Sequence, residues 1–271
     1  MQVDVLGLPV HYEEVGDGRP IVFLHGGGAD HRLMTVAFEP IFEARSGWRR
    51  IYPDLPGMGR TPAADWIDGE DDMLAVVEGF VDLVAPSDRV AVAGASYGGY
   101  LALGLVHRRP EKLDGLALVA PAYRSDPDRL PAHQVFARDE AVVASLTEDE
   151  RPWLGRSVVQ VAETLEFFRA GVLPGLRIAD SAFLDRLEAG PNLSIDVSAP
   201  LPAPFPAPTL ILAGRQDSVV GWADAIPLLD SFPRATYAVL DRAGHAVRAE
   251  QNVLFRALVG EWLDRLELEG R

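Results

Sequence analysis

The sequence predicts a doubly wound, mostly parallel α/β sheet with an inserted helical cap. Three observations predict it. Short, near-continuous apolar runs alternate with helical patterns; residues 122–200 interrupt that alternation; and a proline-rich stretch leads back to it. Continuous Val/Ile/Leu/Ala runs suit strands covered on both faces, because a half-exposed strand would alternate apolar with polar residues.

In chain order, residues 2–6 and 9–14 predict a hairpin about Gly7. Strands follow at 21–25, 49–54, 89–96 and 113–121, with helices at 70–85 and 98–108 between them. Beyond the interruption come strands at 209–215 and 236–241 and helices at 222–231 and 250–267. Val253, Leu254, Ala257, Leu258 and Leu266 predict the buried stripe of the last helix. Residues 122–200 are rich in Arg, Asp and Glu, with helical patterns around 133–145 and 157–170 and no strand pattern. Prolines at 200, 202, 204, 206 and 208 deny both helix and ladder hydrogen bonds, so this stretch reads as a stiff extended connector. The expected organisation is a core in two parts, 1–121 and 208–271, with cap and connector at 122–207 between them. Such a cap belongs over the carboxyl ends of the strands, where open α/β sheets bind ligands.

Composition narrows the function classes. Over 271 residues, 40 acidic against 25 basic side chains give a net charge of −15, a field that repels a phosphate backbone and argues against a nucleic-acid partner. With no cysteine there is no disulfide, thiolate nucleophile or Cys-bound zinc. The start, MQVDVLGLPVHYEE, lacks a secretory pattern, and no apolar run reaches the roughly 18 residues a membrane span needs. A cytoplasmic protein acting on a small molecule, with no membrane partner, is the expectation. Neither His-x-x-x-His nor another dense His/carboxylate pattern is found, so no metal is expected.

Gly94-Ala95-Ser96-Tyr97-Gly98 lies where a strand turns into a helix. A serine on such a sharp turn is pushed out into reach, and flanking glycines let neighbouring backbone come close. A serine hydroxyl is a weak nucleophile and needs a base, itself oriented by a carboxylate. Asp217 follows the strand 209–215 and His245 the strand 236–241, so all three fall at strand carboxyl ends in the order Ser, Asp, His. His25-Gly26-Gly27-Gly28 closes another strand, and its backbone can offer N–H groups to a developing oxyanion. Gly27 and Tyr97 are the expected donors, with Gly28 a third candidate. His25 reads as a histidine that fixes the loop. His31 lines the pocket or steadies the loop, and Phe136, Trp153, Phe167 and Phe168 line an acyl pocket or pack against the core.

With Asp54-Leu55-Pro56-Gly57-Met58-Gly59-Arg60, these motifs carry a resemblance across nearly the whole chain. The sequence resembles lidded serine α/β-hydrolases of the esterase and carbon–carbon-hydrolase branch. The resemblance implies Ser96 as nucleophile, Asp217 as acid and His245 as base, a lid, and no cofactor; the Asp54–Arg60 turn shapes the pocket floor. Ala246-Val247-Arg248 stands where meta-cleavage-product hydrolases typically have tryptophan after the histidine, and Arg156, Arg169 and Arg177 are candidates for their lid arginine. The leading expectation is a serine hydrolase of a small, largely apolar ester. Hydrolysis of a vinylogous 1,5-diketone, acyl transfer to an alcohol, and a slowly turning-over ligand receptor are the alternatives.

Overall fold

The computed structural model describes residues 1–122 and 130–269; the first residues of the predicted cap, 123–129, lie outside the described ones. Strands β1 (Gln2–Val5), β2 (Leu8–Val15), β3 (Arg19–Leu24), β4 (Trp48–Pro53), β5 (Val90–Ala95) and β6 (Leu113–Val119) build the first part of the sheet. Between β3 and β4 runs α1 (His31–Phe42), between β4 and β5 α2 (Glu70–Val84), and between β5 and β6 α3 (Tyr97–Arg108). The segment after β6 holds β7 (Ala137–Arg138), α4 (Glu140–Ala144), α5 (Arg151–Arg156), β8 (Val159–Gln160), α6 (Ala162–Phe167), α7 (Leu173–Leu176) and α8 (Ser181–Ala189). The chain then returns through β9 (Thr209–Gly214), β10 (Ala235–Leu240), α9 (Val247–Glu250) and α10 (Asn252–Glu269).

The eight-stranded sheet has the order β1-β2-β4-β3-β5-β6-β9-β10. β1 and β2 pair antiparallel, β2 meets β4 antiparallel, and every later pairing is parallel. All six residues of β5 and of β9 are buried, which is why these strands read as unbroken apolar runs. Successive side chains leave a strand on opposite faces. Val92 of β5 therefore enters one core with Leu74, Val77 and Leu101 of α2 and α3, while Ala91 and Ala93 enter the other with Met34, Phe38 and Trp262 of α1 and α10. β3 has β4 on one side and β5 on the other. The loops after β3 and β5 leave the sheet there, which opens a crevice at the carboxyl ends.

Four expectations need correction. The helix α1 was not predicted, because Pro40 lies inside it; its buried Leu33, Met34, Ala37 and Phe38 nonetheless repeat at helical spacing. Residues 222–231 form a 3₁₀ helix rather than an α-helix, with Pro227 inside. In α10 the stripe is rotated: Val253 and Leu254 are exposed, whereas Phe255, Val259, Trp262 and Leu263 are buried. In the inserted segment, helix is confined to 140–144 of the predicted 133–145. The predicted 157–170 begins with β8, pairs with β7, and passes from α6 into a π-helical turn at Phe168–Val172.

The connector packs where alternate prolines let it. Leu201 and Phe205 donate backbone N–H bonds to Ser231, and Phe205 inserts its ring beside Phe232.

Candidate active site

Ser96 sits between β5 and α3 with φ 51° and ψ −115°. A non-glycine residue in that region costs about 1–3 kcal/mol, which the surrounding backbone must overcome. Ser96 N–H donates to Val119 O, and Ser96 O accepts from Gly99, Tyr100 and Ala122. A Cβ on Gly94 would lie 2.3 Å from Gly98 O, and one on Gly98 2.2 Å from Leu24 O, so only glycines allow this turn to press against β3.

Asp217, in the loop after β9, is buried. Its Oδ1 accepts from Val219 N–H at 2.8 Å and Val220 N–H at 3.0 Å. Its Oδ2 lies 2.9 Å from Nδ1 of His245, and Nε2 of His245 lies 3.0 Å from Ser96 Oγ. An ionised carboxylate only accepts, so Nδ1 carries the proton it receives and Nε2 is left to accept from the serine hydroxyl. The side chains of Ser96, His245 and Asp217 thus form one hydrogen-bonded chain from loops far apart in sequence. Three further contacts hold the loops in register: Gln216 accepts from Ala243 N–H, and Glu250 accepts from Gly244 N–H at 2.6 Å and Val158 N–H at 2.7 Å. Sequence reasoning missed Glu250; a lone glutamate in a short helix carries no signal of its own.

Ser96 and His245 open onto a cavity of about 230 Å³ bordered also by Gly26 and Gly27. Tyr97 is the first residue of α3, so its N–H has no intrahelical acceptor. Gly27 faces it, a Cβ there falling 3.6 Å from Tyr97 Cβ. Gly28 differs in that its N–H approaches Met58 Sδ at 3.2 Å and that it borders only the neighbouring cavity, with Glu70, which Gly27 and Tyr97 border too. Tyr97 donates its hydroxyl to Glu70 at 2.5 Å, while burial pushes the Glu70 carboxyl up to about 6 against that hydrogen bond.

The pocket expectations divide. Trp153 and Phe168 line the cavity. Phe136, 44% exposed, does not, and Phe167 packs into the core on the α1/α10 side of the sheet. His31 steadies the loop instead of lining the cavity: its backbone N–H and Nδ1 both meet Asp54 Oδ1, at 2.9 and 2.8 Å. Burial would raise Asp54, but His31 and the Arg60 backbone outweigh it and hold the carboxyl at about 2. His25 ties the same two loops, its Nδ1 donating to Gly26 O and its Nε2 accepting from Leu55 N–H; burial lowers its pKa and keeps it neutral. His11, His31 and Asp54 bring their donor atoms within 4.8 Å, a cluster invisible as sequence spacing. His31 Nδ1 is committed to Asp54, and the Arg60 guanidinium stands 3.5 Å from Nε2 of His11. Of the three arginines that were candidates for a lid arginine, Arg169 pairs with Glu150 and Arg177 with Asp149, and Arg156 borders the cavity over the Trp153 ring. Arg248, Ser157 and Ser218 also line it and were not predicted to.

Residues 19–250 match the family model for the alpha/beta hydrolase fold. The chain belongs to this family. An α/β hydrolase from Oenococcus oeni superposes with a TM-score of 0.86 at 25% identity, covering 95% of this chain and 96% of the other. Among curated relatives, the 2-hydroxy-6-oxo-2,4-heptadienoate hydrolase of Pseudomonas putida is 26% identical over 95% of this chain and 93% of its own length. The pimeloyl-[acyl-carrier protein] methyl ester esterase of Legionella pneumophila is 26% identical over 94% of this chain and 99% of its own length. The protein is an α/β-fold hydrolase. No helix among the described residues is long and apolar enough to cross a membrane.

Proposed function

We propose that the protein hydrolyses a small ester through a Ser96–His245–Asp217 triad and an acyl-enzyme. The observation that carries this is the hydrogen-bonded chain from Asp217 through His245 to Ser96, ending at the wall of a cavity. Ser96 Oγ attacks the carbonyl carbon as Nε2 of His245 takes its proton. Asp217 keeps the imidazole in the required tautomer and stabilises the imidazolium. The N–H groups of Gly27 and Tyr97 receive the oxyanion, His245 returns the proton to the leaving alcohol, and it then activates the water that releases the acid. The inserted helices act as a cap: α5 and the Phe168 turn supply the far wall of the cavity through Trp153 and Phe168.

Intact-mass measurement after a fluorophosphonate tests this reading. A single adduct is expected on the wild type, none on Ser96→Ala, and labelling slowed by about 10³-fold or more on His245→Ala. A folded wild type that takes no adduct overturns it. The Pseudomonas putida relative favours a second reading, hydrolysis of a carbon–carbon bond in a dienoate by the same residues. Loss of the dienoate absorption band on mixing with enzyme separates it from ester cleavage.

A further inference from the structure

Inside the cavity that holds Ser96 sits a charge with no partner. Arg248, three residues beyond His245, is 5% exposed, and its Nε and Nη1 have no hydrogen-bond acceptor among the described residues. Its guanidinium forms no ion pair there either; the nearby carboxylates, Asp217 and Glu250, act on it only through their fields. Both already accept hydrogen bonds from other groups: Asp217 from Val219, Val220 and His245, Glu250 from Gly244 and Val158. Against the ring of Phe167, 6.0 Å from the guanidinium carbon, Arg248 finds a π face but no acceptor. Burial lowers its pKa to about 10, so it remains a cation at neutral pH. A second buried donor shares the wall: Ser157 Oγ, in a residue 2% exposed, is likewise without a partner. Arg156 adds a further positive charge at the same cavity.

Buried charges in proteins are normally paired, because an isolated one loses hydration with nothing in return. A planar guanidinium with no acceptor on Nε or Nη1 fits a carboxylate, which can bridge Nη2 and either of them as a two-pronged pair. We infer that Arg248, with Ser157 in the same wall, binds a carboxylate carried by the substrate, so that the enzyme selects anionic esters over neutral ones of equal length. This rests on the serine-hydrolase reading and narrows the expected substrate from largely apolar to apolar with one acidic group. It also gives Arg248 a role that the residues around the nucleophile do not require: it sets specificity and takes no part in bond making.

The test uses two matched pairs. Mono-p-nitrophenyl glutarate is compared with p-nitrophenyl valerate, placing the carboxylate on the acyl side. Acetoxybenzoate is compared with its methyl ester, placing it on the leaving group. In one pair, wild-type kcat/KM is expected to favour the anion by about tenfold or more. In Arg248→Gln that ratio falls to about one or below, and Arg248→Lys restores part of it through KM, which a merely structural arginine would not do. Fluorophosphonate labelling is run beside each variant. Should Arg248→Gln fail to fold, the wild-type ratios and Arg248→Lys still decide. A wild type that labels at Ser96 but prefers the anion in neither pair overturns the carboxylate site and leaves the hydrolase intact. An anion preference unchanged in Arg248→Lys and Arg248→Gln overturns it too. A wild type that does not label removes the hydrolase reading itself.

Discussion

The sheet and the segment between β6 and β9 are held together in different ways. The sheet places alternate residues of β3, β5 and β6 into two broad cores, one under α2 and α3, the other under α1 and α10. The inserted segment has a small core of its own, Leu146, Leu154, Leu165 and Phe168, and depends on polar ties such as Arg169 to Glu150 and Glu250 to Val158. The first region can hold a serine in a strained conformation, since many contacts oppose its relaxation. The second is built of short helices that reach the sheet's cores through a few side chains, Phe167, Phe183 and Leu187 among them, which leaves α4 and α5 the least anchored. Ser96, Asp217 and His245 therefore lie on loops of the first region, and Trp153 and Phe168 come from the second.

Substitutions in the two cores set this contrast most strongly. Phe38 meets Phe23 in a tilted pair at 4.8 Å and Phe255 edge-on at 5.2 Å; Phe38→Ala should cost about 3–5 kcal/mol in a denaturant titration. Leu154→Ala, in the small cluster, should cost about 2 kcal/mol at most in global unfolding, while amide exchange in α5 and α6 speeds up under native conditions. Equal losses in global stability would mean the segment and the sheet unfold as one unit.

Asp54 gives the next largest effect. Its folded pKa of about 2 lies below the ordinary 3.8, so its stabilisation is fully present above pH 4 and is lost as pH falls through 2. Asp54→Asn should destabilise the protein by about 2 kcal/mol at pH 7, and the gap from wild type should narrow on acidification. A gap independent of pH would place the effect in lost packing.

Glu70 predicts a smaller change of opposite sign. Its pKa of about 6 lies above the ordinary 4.5, so the neutral acid favours folding below pH 4.5 and that advantage fades as pH rises through 6. Because Glu70 is partly exposed, Glu70→Gln should gain about 1 kcal/mol or less relative to wild type between pH 4.5 and 7. Thermal melts across that range check it. Gln keeps an acceptor for the Tyr97 hydroxyl, so ester hydrolysis should change little.

The legible parts of the chain are those where one local rule dominates. The apolar runs of β3, β5, β6 and β9 could be read because strands buried on both faces admit no polar residue. Ser96, Asp217 and His245 stood out in the sequence because each follows a strand with a glycine within three residues. The α10 stripe was misphased by about two-fifths of a turn over its first half, though Leu266 is buried as expected, since Val253 and Leu254 are as apolar as the residues actually buried. In the inserted segment, helices of four to nine residues carry too few turns for a period to emerge.

The sequence by itself determined the layered α/β class, the strained serine turn, and the placing of Asp217 and His245 in loops after strands, because all three follow from residue type and spacing within one element. Only the tertiary structure decided that Gly27 and not Gly28 borders the cavity with Ser96, that His31 serves Asp54, and that Phe168 rather than Phe136 borders the cavity. It also decided that Arg248 is buried in the wall of that cavity with Nε and Nη1 lacking an acceptor among the described residues. A side chain's direction into a cavity depends on how separate elements pack, and residues distant along the chain leave no mark of that packing on one another's neighbours.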